Sequence, residues 1–152
     1  MKIEEALKIN SGLDLSSKTL INIQYTSRLL EEKFAALLKE YGLSTPQFNV
    51  LRILRGQKGK PASLACIQER MVDRSSNTTR LVDKLITKEM VKRRICPENR
   101  RKVEIEITSS GLDLLKELDP LTTKTNADNA ANLTEDELIT LNNLLDKLRN
   151  DE

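Results

Sequence analysis

The chain has 152 residues, of which 32% are charged and 38% are apolar, so its length and composition indicate one folded domain with one core. It contains neither histidine nor tryptophan. This excludes Ser-His-Asp and Cys-His catalytic systems and removes the commonest ligand of transition metals. Two cysteines cannot supply a tetrahedral zinc site by themselves. We therefore expect no cofactor and no catalytic activity.

Positive charge is concentrated in one part of the chain. The net charge is only +2, yet residues 66–102 contain eleven Lys and Arg against five Asp and Glu, while the rest contains fourteen against eighteen. This asymmetry indicates a basic lobe that binds a polyanion, with an ordinary solvated charged surface as the alternative. No apolar run approaches the ~20 residues of a membrane span, and the N-terminus lacks the apolar block of a signal peptide. We therefore expect no membrane partner and a cytoplasmic protein.

Two long helices are predicted first. Residues 17–41 carry apolar residues at three- and four-residue steps, and Gly42 follows as a helix stop. Either Ser44 or Thr45 can cap the next helix, whose first turn contains Pro46. The side chains expected to face the core are Leu20, Ile23, Leu30, Phe34, Leu37 and Tyr41, and then Phe48, Leu51 and Leu54.

A short helix and a longer one are predicted next. Residues 63–71 place Leu64, Ile67 and Met71 on one face. Asp73 can then cap a helix of about seventeen residues, which would be ~25 Å long. Its spacing assigns Thr78, Leu81, Val82, Leu85 and Ile86 to an inner face, and Ser76, Asn77, Arg80 and Lys84 to an outer face.

The apolar period then changes to the alternation of a strand. Residues 91–96 and 102–107 alternate apolar and charged side chains around a polar loop at residues 97–101, which predicts a β-hairpin. Val103, Ile105 and Ile107 should anchor it on the core. Arg93 shares the parity of the apolar residues and can pair inside the lobe. Asp83 either forms an ion pair with an arginine of the hairpin or only balances charge.

Two further helices complete the chain. Thr108 should cap the first, and Ile107 and Leu112 are spaced as a hydrophobic staple before a helix that meets Pro120. Thr134 and Glu137 form a capping box for the last helix. The apolar residues assigned to these two helices are Leu112, Leu115 and Leu118, and then Leu138, Leu141, Leu144, Leu145 and Leu148.

This order of elements predicts a mainly α fold with a small β-hairpin, that is, a winged helix-turn-helix. The segments STPQFNVLRIL and MVDRSSNTTRLVDKLITKEMVKRRICPENRRKVEIEIT resemble the MarR family of bacterial transcriptional regulators. The resemblance extends over residues 17–148, and its most specific parts are TTRLVDKL and the wing NRRKVEIEIT. It implies a homodimer in which the terminal helices form a dimerisation lobe beneath two DNA-binding lobes. In many members, a small molecule or an oxidant releases the DNA.

The resemblance implies a division of the single domain, residues 1–152. Residues 44–108 would form the winged helix-turn-helix lobe, and residues 15–43 and 109–150 the dimerisation helices. One departure lies in the wing, where the family often carries Asp-x-Arg and this chain has Asn99, Arg100 and Arg101. Asn99 can hydrogen-bond and cap a turn, but it offers no charge-assisted pairing with the arginine.

The expected DNA interface joins the recognition helix to the wing. Arg80 can contact a guanine edge or a phosphate, Asn77 can pair with an adenine edge, and Arg74 and Lys84 would hold the DNA backbone. Wing arginines can enter a narrow minor groove. A plain solvated helix face is the alternative for Arg80 and Lys84. The full set is Arg74, Ser75, Ser76, Asn77, Thr79, Arg80, Lys84, Asn99, Arg100, Arg101 and Lys102.

Cysteines and aromatic residues suggest how the protein could be regulated. Neighbouring cations could make Cys96 oxidisable, but we favour both Cys66 and Cys96 as small buried apolar residues. The aromatic residues could line a pocket for a small aromatic effector, or they could be plain core. These residues are Tyr25, Phe34, Tyr41 and Phe48.

The sequence thus predicts a homodimeric regulator of transcription, a ligand- or stress-responsive repressor that binds double-stranded DNA at an inverted-repeat operator. A winged-helix module that binds proteins and has no DNA role is the alternative. Exposed apolar residues on the outer face of the recognition helix would favour the alternative, whereas Ser76, Asn77 and Arg80 disfavour it. Glu104 and Glu106 are the one plausible acid–base pair for an enzyme, and their expected place on an exposed strand argues against catalysis.

Overall fold

The computed structural model describes residues 1–10, 12–96 and 99–149, without the side chains of residues 100–102. Its two strands form one antiparallel hairpin, and the rest of the regular structure is helical, which confirms the predicted fold class. In chain order the elements are α1 (Ile3–Ala6), α2 (Leu15–Glu40), α3 (Thr45–Gly56), α4 (Leu64–Arg70), α5 (Thr78–Thr87), β1 (Val91–Cys96), β2 (Asn99–Ile107), α6 (Ser109–Ala130) and α7 (Glu135–Arg149). Within the described residues, no helix is long and apolar enough to cross a membrane.

The first long helix, α2, is mostly exposed along its length. Asp14 caps it by accepting a hydrogen bond from the Ser17 amide at 2.9 Å, and Gly42 follows its end with a φ of +66°. Within this fully described helix only Leu38 is buried. The expectation that Leu20 and Leu30 face a core is wrong for the single chain, because both are exposed and Leu20 is 52% accessible. No other residue in the described part of the chain covers that face of the helix.

The core lies around α3, a helix whose start is fixed by a local capping box. Ser44, not Thr45, is the N-cap, and it forms a capping box with Gln47. The predicted inward residues Phe48, Leu51 and Leu54 are buried. They pack with residues of α2, α4, α5, β2 and α6 in one cluster, whose fully buried members include Leu38, Leu51, Ile67, Val82, Leu85, Ile105, Leu115 and Leu118.

The recognition helix is shorter than predicted. Its N-cap is Asn77, whose side-chain oxygen accepts from the Arg80 amide at 3.0 Å, so α5 has ten residues and is ~15 Å long. Asp73 does not cap it, because its carboxylate accepts from Ser75 and Ser76 within a separate turn. The predicted inner face is confirmed: Thr78, Val82 and Leu85 are buried, and Leu81 and Ile86 are half-buried.

The wing is a two-stranded hairpin with a backbone bridge to Ala62. β1 and β2 pair from Val91 with Ile107 to Ile95 with Val103, and Ala62 bridges Ile105 through two backbone hydrogen bonds of 2.9 and 2.8 Å. The predicted loop at residues 97–101 is wrong from Asn99 onwards, because β2 already begins there, and residues 97 and 98 lie outside the described residues. The register shifts between Ile95 and Cys96, and residues 100–102 lie between the last two pairs, as in a bulge that accommodates extra residues in one strand.

The last two helices begin at the predicted caps. Thr108 accepts from the Gly111 amide at 3.2 Å, and Thr134 and Glu137 exchange the hydrogen bonds of a capping box. Gly111 has no room for a side chain, since a Cβ there would lie 2.4 Å from the carbonyl oxygen of Met90. α6 continues through Pro120, and Leu115 and Leu118 reach the core, whereas Leu112 is exposed.

One bidentate ion pair joins the helix-turn-helix to α6. Arg55 on α3 donates two hydrogen bonds to Asp119, at 2.7 and 2.9 Å. The Arg55 guanidinium holds the pKa of Asp119 below its ordinary value, and Asp119 in turn raises the pKa of Arg55. The pair therefore adds a directional contact to the apolar packing between α3 and α6.

Candidate nucleic-acid interface

The turn before α5 is organised by Asp73. Its carboxylate accepts from the amide and the hydroxyl of Ser75, at 2.9 and 2.6 Å, and from the hydroxyl of Ser76 at 3.2 Å. The hydrogen bond from the Ser75 hydroxyl is the main cause that lowers the pKa of Asp73. Arg74, Ser75 and Ser76 therefore lie in a turn ahead of the helix, and not in its first turn as predicted. Both hydroxyl protons already have an acceptor within the protein.

The outer side of α5 carries the predicted polar residues. Asn77, Thr79, Arg80 and Lys84 are exposed. Asn77 uses its side-chain oxygen as the cap, which leaves its amide group to donate. Arg74, Arg80 and Lys84 form no ion pair with any residue in the described part of the chain. Their positive charge is therefore not neutralised within that part of the chain.

The stem of the wing differs, because its cations are paired. Lys92 lies 2.9 Å from Glu106, and Arg94 lies 2.8 Å from Glu104 and 3.1 Å from Glu106. Lys92 is the main cause that lowers the pKa of Glu106, and Glu104 is the main cause that raises the pKa of Arg94. Both glutamates are thus held by cations on β1, an arrangement that explains their position without acid–base chemistry.

A further ion pair ties the wing to the recognition helix. Arg93 on β1 donates to Asp83 on α5 at 2.8 Å. This confirms the predicted pairing of Asp83 with an arginine of the hairpin. The pair orients β1 against the helix, so the relative position of helix and wing depends partly on it. Ile95, which shares the parity of Arg93, is exposed.

The tip of the wing contains the remaining predicted contacts. Asn99 is exposed, and the backbone of Arg100, Arg101 and Lys102 lies in β2. The side chains of these three cations lie outside the described part of the structure. The sequence predicted the three cations at the tip of the hairpin, and their backbone positions between the last two strand pairs agree with that prediction.

Two amide side chains of the helix-turn-helix were missed in the sequence. Gln68 on α4 donates to the Arg74 carbonyl oxygen at 2.9 Å and accepts from the Thr78 hydroxyl. Asn49 on α3 accepts from the Val72 amide at 2.9 Å. Both contacts hold the segment between α4 and α5, and both join residues that are distant in sequence. No local pattern could have identified them.

An open groove of about 1150 Å³ lies between α2, α3, α6, α7 and the segment before α5. Phe34 and Phe48 line it, with ring centroids 5.5 Å apart in an edge-to-face arrangement, and the Arg52 guanidinium lies 5.9 Å from the Phe48 ring. Tyr25 and Tyr41 do not line it, so of the two alternatives for the aromatic residues, a pocket lined by all four is wrong. The recognition turn, which is residues 71–77 between α4 and α5, contributes Met71, Val72 and Asp73 to the wall.

Both cysteines are half-buried and unpaired. Cys66 packs against the core cluster, and its Sγ accepts from Arg70 at 2.9 Å. The favoured prediction that both cysteines are buried is wrong in degree, because the short α4 and the edge of the wing leave part of each residue accessible. Neither thiol lies in the groove or on the outer side of α5.

Together, the helix-turn-helix and the hairpin bridged to Ala62 define a winged helix-turn-helix protein. Residues 43–103 match the model of the MarR family. The HTH-type transcriptional regulator MhqR of Bacillus subtilis (strain 168) is 30% identical over 105 residues, which cover 69% of this chain and 71% of that protein. The chain belongs to the MarR family and is a transcriptional regulator, as the resemblance in the sequence predicted.

Solved structures agree with this fold. A cysteine-to-serine variant of MarR from E. coli, complexed with operator DNA, superimposes with a TM-score of 0.78 at 24% identity, over 91% of this chain and 100% of that one. The organohalide-sensing regulator RdhR in its 2,4-dichlorophenol-bound form gives a TM-score of 0.83 at 20% identity, over 93% and 86%. At these identities the likeness shows the fold.

Proposed function

We propose that the chain binds double-stranded DNA through the helix-turn-helix and the wing of residues 44–108. The observation that carries this proposal is the contrast in ion pairing: Arg74, Arg80 and Lys84 are unpaired among the described residues, whereas the cations of the wing stem are neutralised. Unpaired cations on an exposed helix face are the electrostatic footprint of phosphate binding. The proposed interface comprises Arg74, Ser75, Ser76, Asn77, Thr79, Arg80, Lys84, Asn99, Arg100, Arg101 and Lys102.

These residues divide by role. α5 enters the major groove, where Arg80 contacts a guanine edge or a phosphate and the Asn77 amide group donates to a base. Arg74 and Lys84 hold the DNA backbone. The arginines of the wing tip enter the adjacent minor groove, whose negative potential is highest where it is narrow. Ser75 and Ser76 bring their backbone close to the DNA, since their hydroxyls serve Asp73.

The functional form is a homodimer made by residues 15–43 and 109–150. Exposed leucines along α2 and α7 support this proposal, because no residue that the structure describes covers them. A two-fold dimer presents two recognition helices to half-sites about one helical turn, or ~34 Å, apart, and therefore reads an inverted repeat. Such a protein acts as a cytoplasmic repressor and not as an enzyme.

A small aromatic effector fits the groove. Phe34 and Phe48 supply ring contacts, and Arg52 supplies a cation for a phenolate or carboxylate. The groove wall of Met71, Val72 and Asp73 continues directly into the turn that carries Arg74. Occupancy of the groove would thus act on the DNA-facing turn, as expected of a ligand-responsive repressor. The dichlorophenol-bound form of RdhR supports an aromatic ligand class.

The test is a selection of binding sites from a random duplex library, followed by titrations of the selected and a random duplex at two salt concentrations. We expect a selected inverted repeat and an affinity that falls steeply with salt, because phosphate binding releases counterions. Arg80→Ala with Lys84→Ala should remove most of the binding. Lys39→Ala with Lys116→Ala changes the charge equally on α2 and α6 and should not. Absence of salt-sensitive binding to any duplex would favour a protein-interaction module instead.

A further inference from the structure

Gln68 connects the two ends of the segment that precedes and begins the recognition helix. Its Nε2 donates to the Arg74 carbonyl oxygen at 2.9 Å, and its Oε1 accepts from the Thr78 hydroxyl. Between these two attachment points lie Ser75, Ser76 and Asn77. We propose that Gln68 is a positioning residue for DNA recognition, which fixes the backbone of residues 74–78 in the shape that the DNA meets. This inference rests on the proposed DNA-binding function.

Hydrogen-bond chemistry determines the orientation of the Gln68 amide. A backbone carbonyl can only accept, so the group facing Arg74 must be the NH₂. The oxygen then faces Thr78, whose hydroxyl must donate to it. Thr78 is only 5% exposed, so its hydroxyl has little access to water as an alternative partner. Gln68 is therefore the residue that satisfies this buried hydroxyl, and neither glutamate nor methionine can make both bonds.

Asn49 on α3 holds the start of this segment at the Val72 amide, and Gln68 holds the part that carries Arg74 to Thr78. Asp73 orders Ser75 and Ser76 from the N-terminal side, and Asn77 caps the helix from within the segment. Both of these contacts are local and would move with the turn. Gln68 attaches the turn to α4, whose neighbour Ile67 is fully buried in the core. It thus ties the DNA-facing residues to the rigid part of the lobe.

Preorganisation explains why this should affect specificity more than general affinity. A base contact from Asn77 or Arg80 requires the helix start to be held in place, and ordering a loose turn on binding would oppose association. Phosphate contacts by long, flexible cations tolerate small shifts. Loss of Gln68 should therefore lower the affinity for the selected operator and leave the affinity for a random duplex nearly unchanged. Both polar atoms of Gln68 are occupied, so it acts through the turn and does not need to touch a base.

The test compares Gln68→Met with Gln57→Met in the full-length protein. Gln57 at the end of α3 makes no side-chain hydrogen bond with the described residues, so its replacement is a matched control. We expect the ratio of operator to random-duplex affinity to fall about ten-fold for Gln68→Met and to stay constant for Gln57→Met. The salt dependence should not change, because no phosphate contact is lost. Hydrogen exchange of the Ser75, Ser76 and Asn77 amides should accelerate.

Thr78→Val provides a second test that does not depend on the first variant. It removes the hydroxyl with little change of shape, and its effect on the affinity ratio should not add to that of Gln68→Met in the double variant, since both remove the same bond. The inference would be overturned if both single variants fold and each keeps a ratio of operator to random-duplex affinity within about two-fold of wild type. Failure of wild type to bind any duplex would instead overturn the proposed function, while unchanged amide exchange in Gln68→Met would still overturn the positioning role.

Discussion

The two halves of this protein use the same apolar periodicity for opposite purposes. The ten-residue α5 buries Thr78, Val82 and Leu85, whereas the 26-residue α2 buries only Leu38 and the described part of α7 buries none. The helix-turn-helix lobe thus completes a core within one chain, together with Leu38 of α2 and Leu115 and Leu118 of α6. The terminal helices present apolar stripes that the described residues of the chain leave uncovered. An apolar stripe shows that a helix has a partner, but not whether that partner belongs to the same chain.

The lobe, whose core residues are covered, also carries charged residues that lack an ion-pair partner in the described part of the chain. Within the lobe, the stem of the wing neutralises its own cations, while the outer side of α5 leaves Arg80 and Lys84 without an ion-pair partner among the described residues. The terminal helices therefore have an incomplete apolar surface, and the lobe has an incomplete charged surface. We infer that the incomplete apolar surface is completed by a second copy and the incomplete charged surface by DNA. Dimerisation and DNA binding can be separated by substitutions in the two surfaces.

The largest effect should come from charging the α7 stripe. Leu141 and Leu148 are 43% and 53% exposed in the single chain, so Leu141→Glu with Leu148→Glu should leave an isolated chain folded. In a dimer the change buries unpaired charges at several kcal/mol each, and the dissociation constant should rise by about 10³-fold or more. Sedimentation at micromolar concentration would measure this.

Asn142→Glu with Asn143→Glu is the matched control, because both are exposed polar residues of α7 outside the stripe. It should leave the dimer intact. A wild-type protein that sediments as a monomer at micromolar concentration would contradict the prediction and the proposed dimerisation lobe together.

A substitution in the lobe core should destabilise folding strongly. Leu85 is fully buried, and Leu85→Ala should lower the free energy of unfolding by about 3 kcal/mol through lost transfer energy and the cavity left behind. Denaturant unfolding by circular dichroism would measure it. Val72→Ala, at a residue that is 90% exposed in the same lobe, should change the free energy by less than about 0.5 kcal/mol. Equal effects of the two would show that the lobe does not form the core described above.

Sequence reasoning succeeded where the determining contacts are local. The cap at Thr108 and the box of Thr134 with Glu137 involve residues three apart, and their chemistry can be read directly, whereas the sequence left Ser44 and Thr45 as equal candidates for the cap of α3. It failed where two local solutions compete. Asp73 and Asn77 are both good N-caps, and only the engagement of Asp73 with Ser75 decides for Asn77.

Tertiary features of the site could not be predicted. The wing loop was placed at residues 97–101 because its composition is polar, whereas the register shift of β2 starts the strand at Asn99. Gln68 and Asn49 bind backbone groups of the recognition turn that are at least six residues away in the chain. The sequence predicted the family and the list of cations, but not which of those cations are neutralised by neighbours.

Replacing Arg80 should have the next largest effect, which is a loss of sequence-specific binding. Arg80→Ala should lower the affinity for the selected operator about ten-fold relative to a random duplex, if its guanidinium makes a bidentate contact with guanine. Arg80→Lys tests the alternative of a phosphate contact, because lysine keeps the charge and loses the bidentate geometry. Full retention of specificity by Arg80→Lys in a filter-binding or fluorescence titration would assign Arg80 to the DNA backbone.

Removing Arg101 should have a smaller and more uniform effect. Arg101→Ala should weaken binding to all duplexes alike and reduce the slope of log affinity against log salt concentration by about one. Arg94→Ala is the control, because Arg94 on the wing stem is already paired with Glu104 and Glu106. Its slope should equal that of wild type. An unchanged slope for Arg101→Ala would place Arg101 outside the interface.

The smallest effect should be the acid sensitivity of the recognition turn. Hydrogen bonds from Ser75 lower the pKa of Asp73 below its ordinary value of 3.8. Because the pKa of Asp73 is lower in the folded state than in the unfolded state, its ionisation stabilises the turn at any pH above the unfolded-state pKa. This stabilisation is lost as the pH falls through the folded-state pKa. The turn should therefore be insensitive to pH between 7 and about 4.

Carbon-detected NMR titration of the Asp73 carboxyl would measure the lowered pKa. Glu137 in the terminal helices is an internal comparison, because a hydrogen bond from the Thr134 backbone lowers its pKa. Ser75→Ala should return Asp73 towards its ordinary pKa and leave Glu137 unchanged, whereas a wild-type Asp73 that titrates at or above 3.8 would contradict the turn geometry.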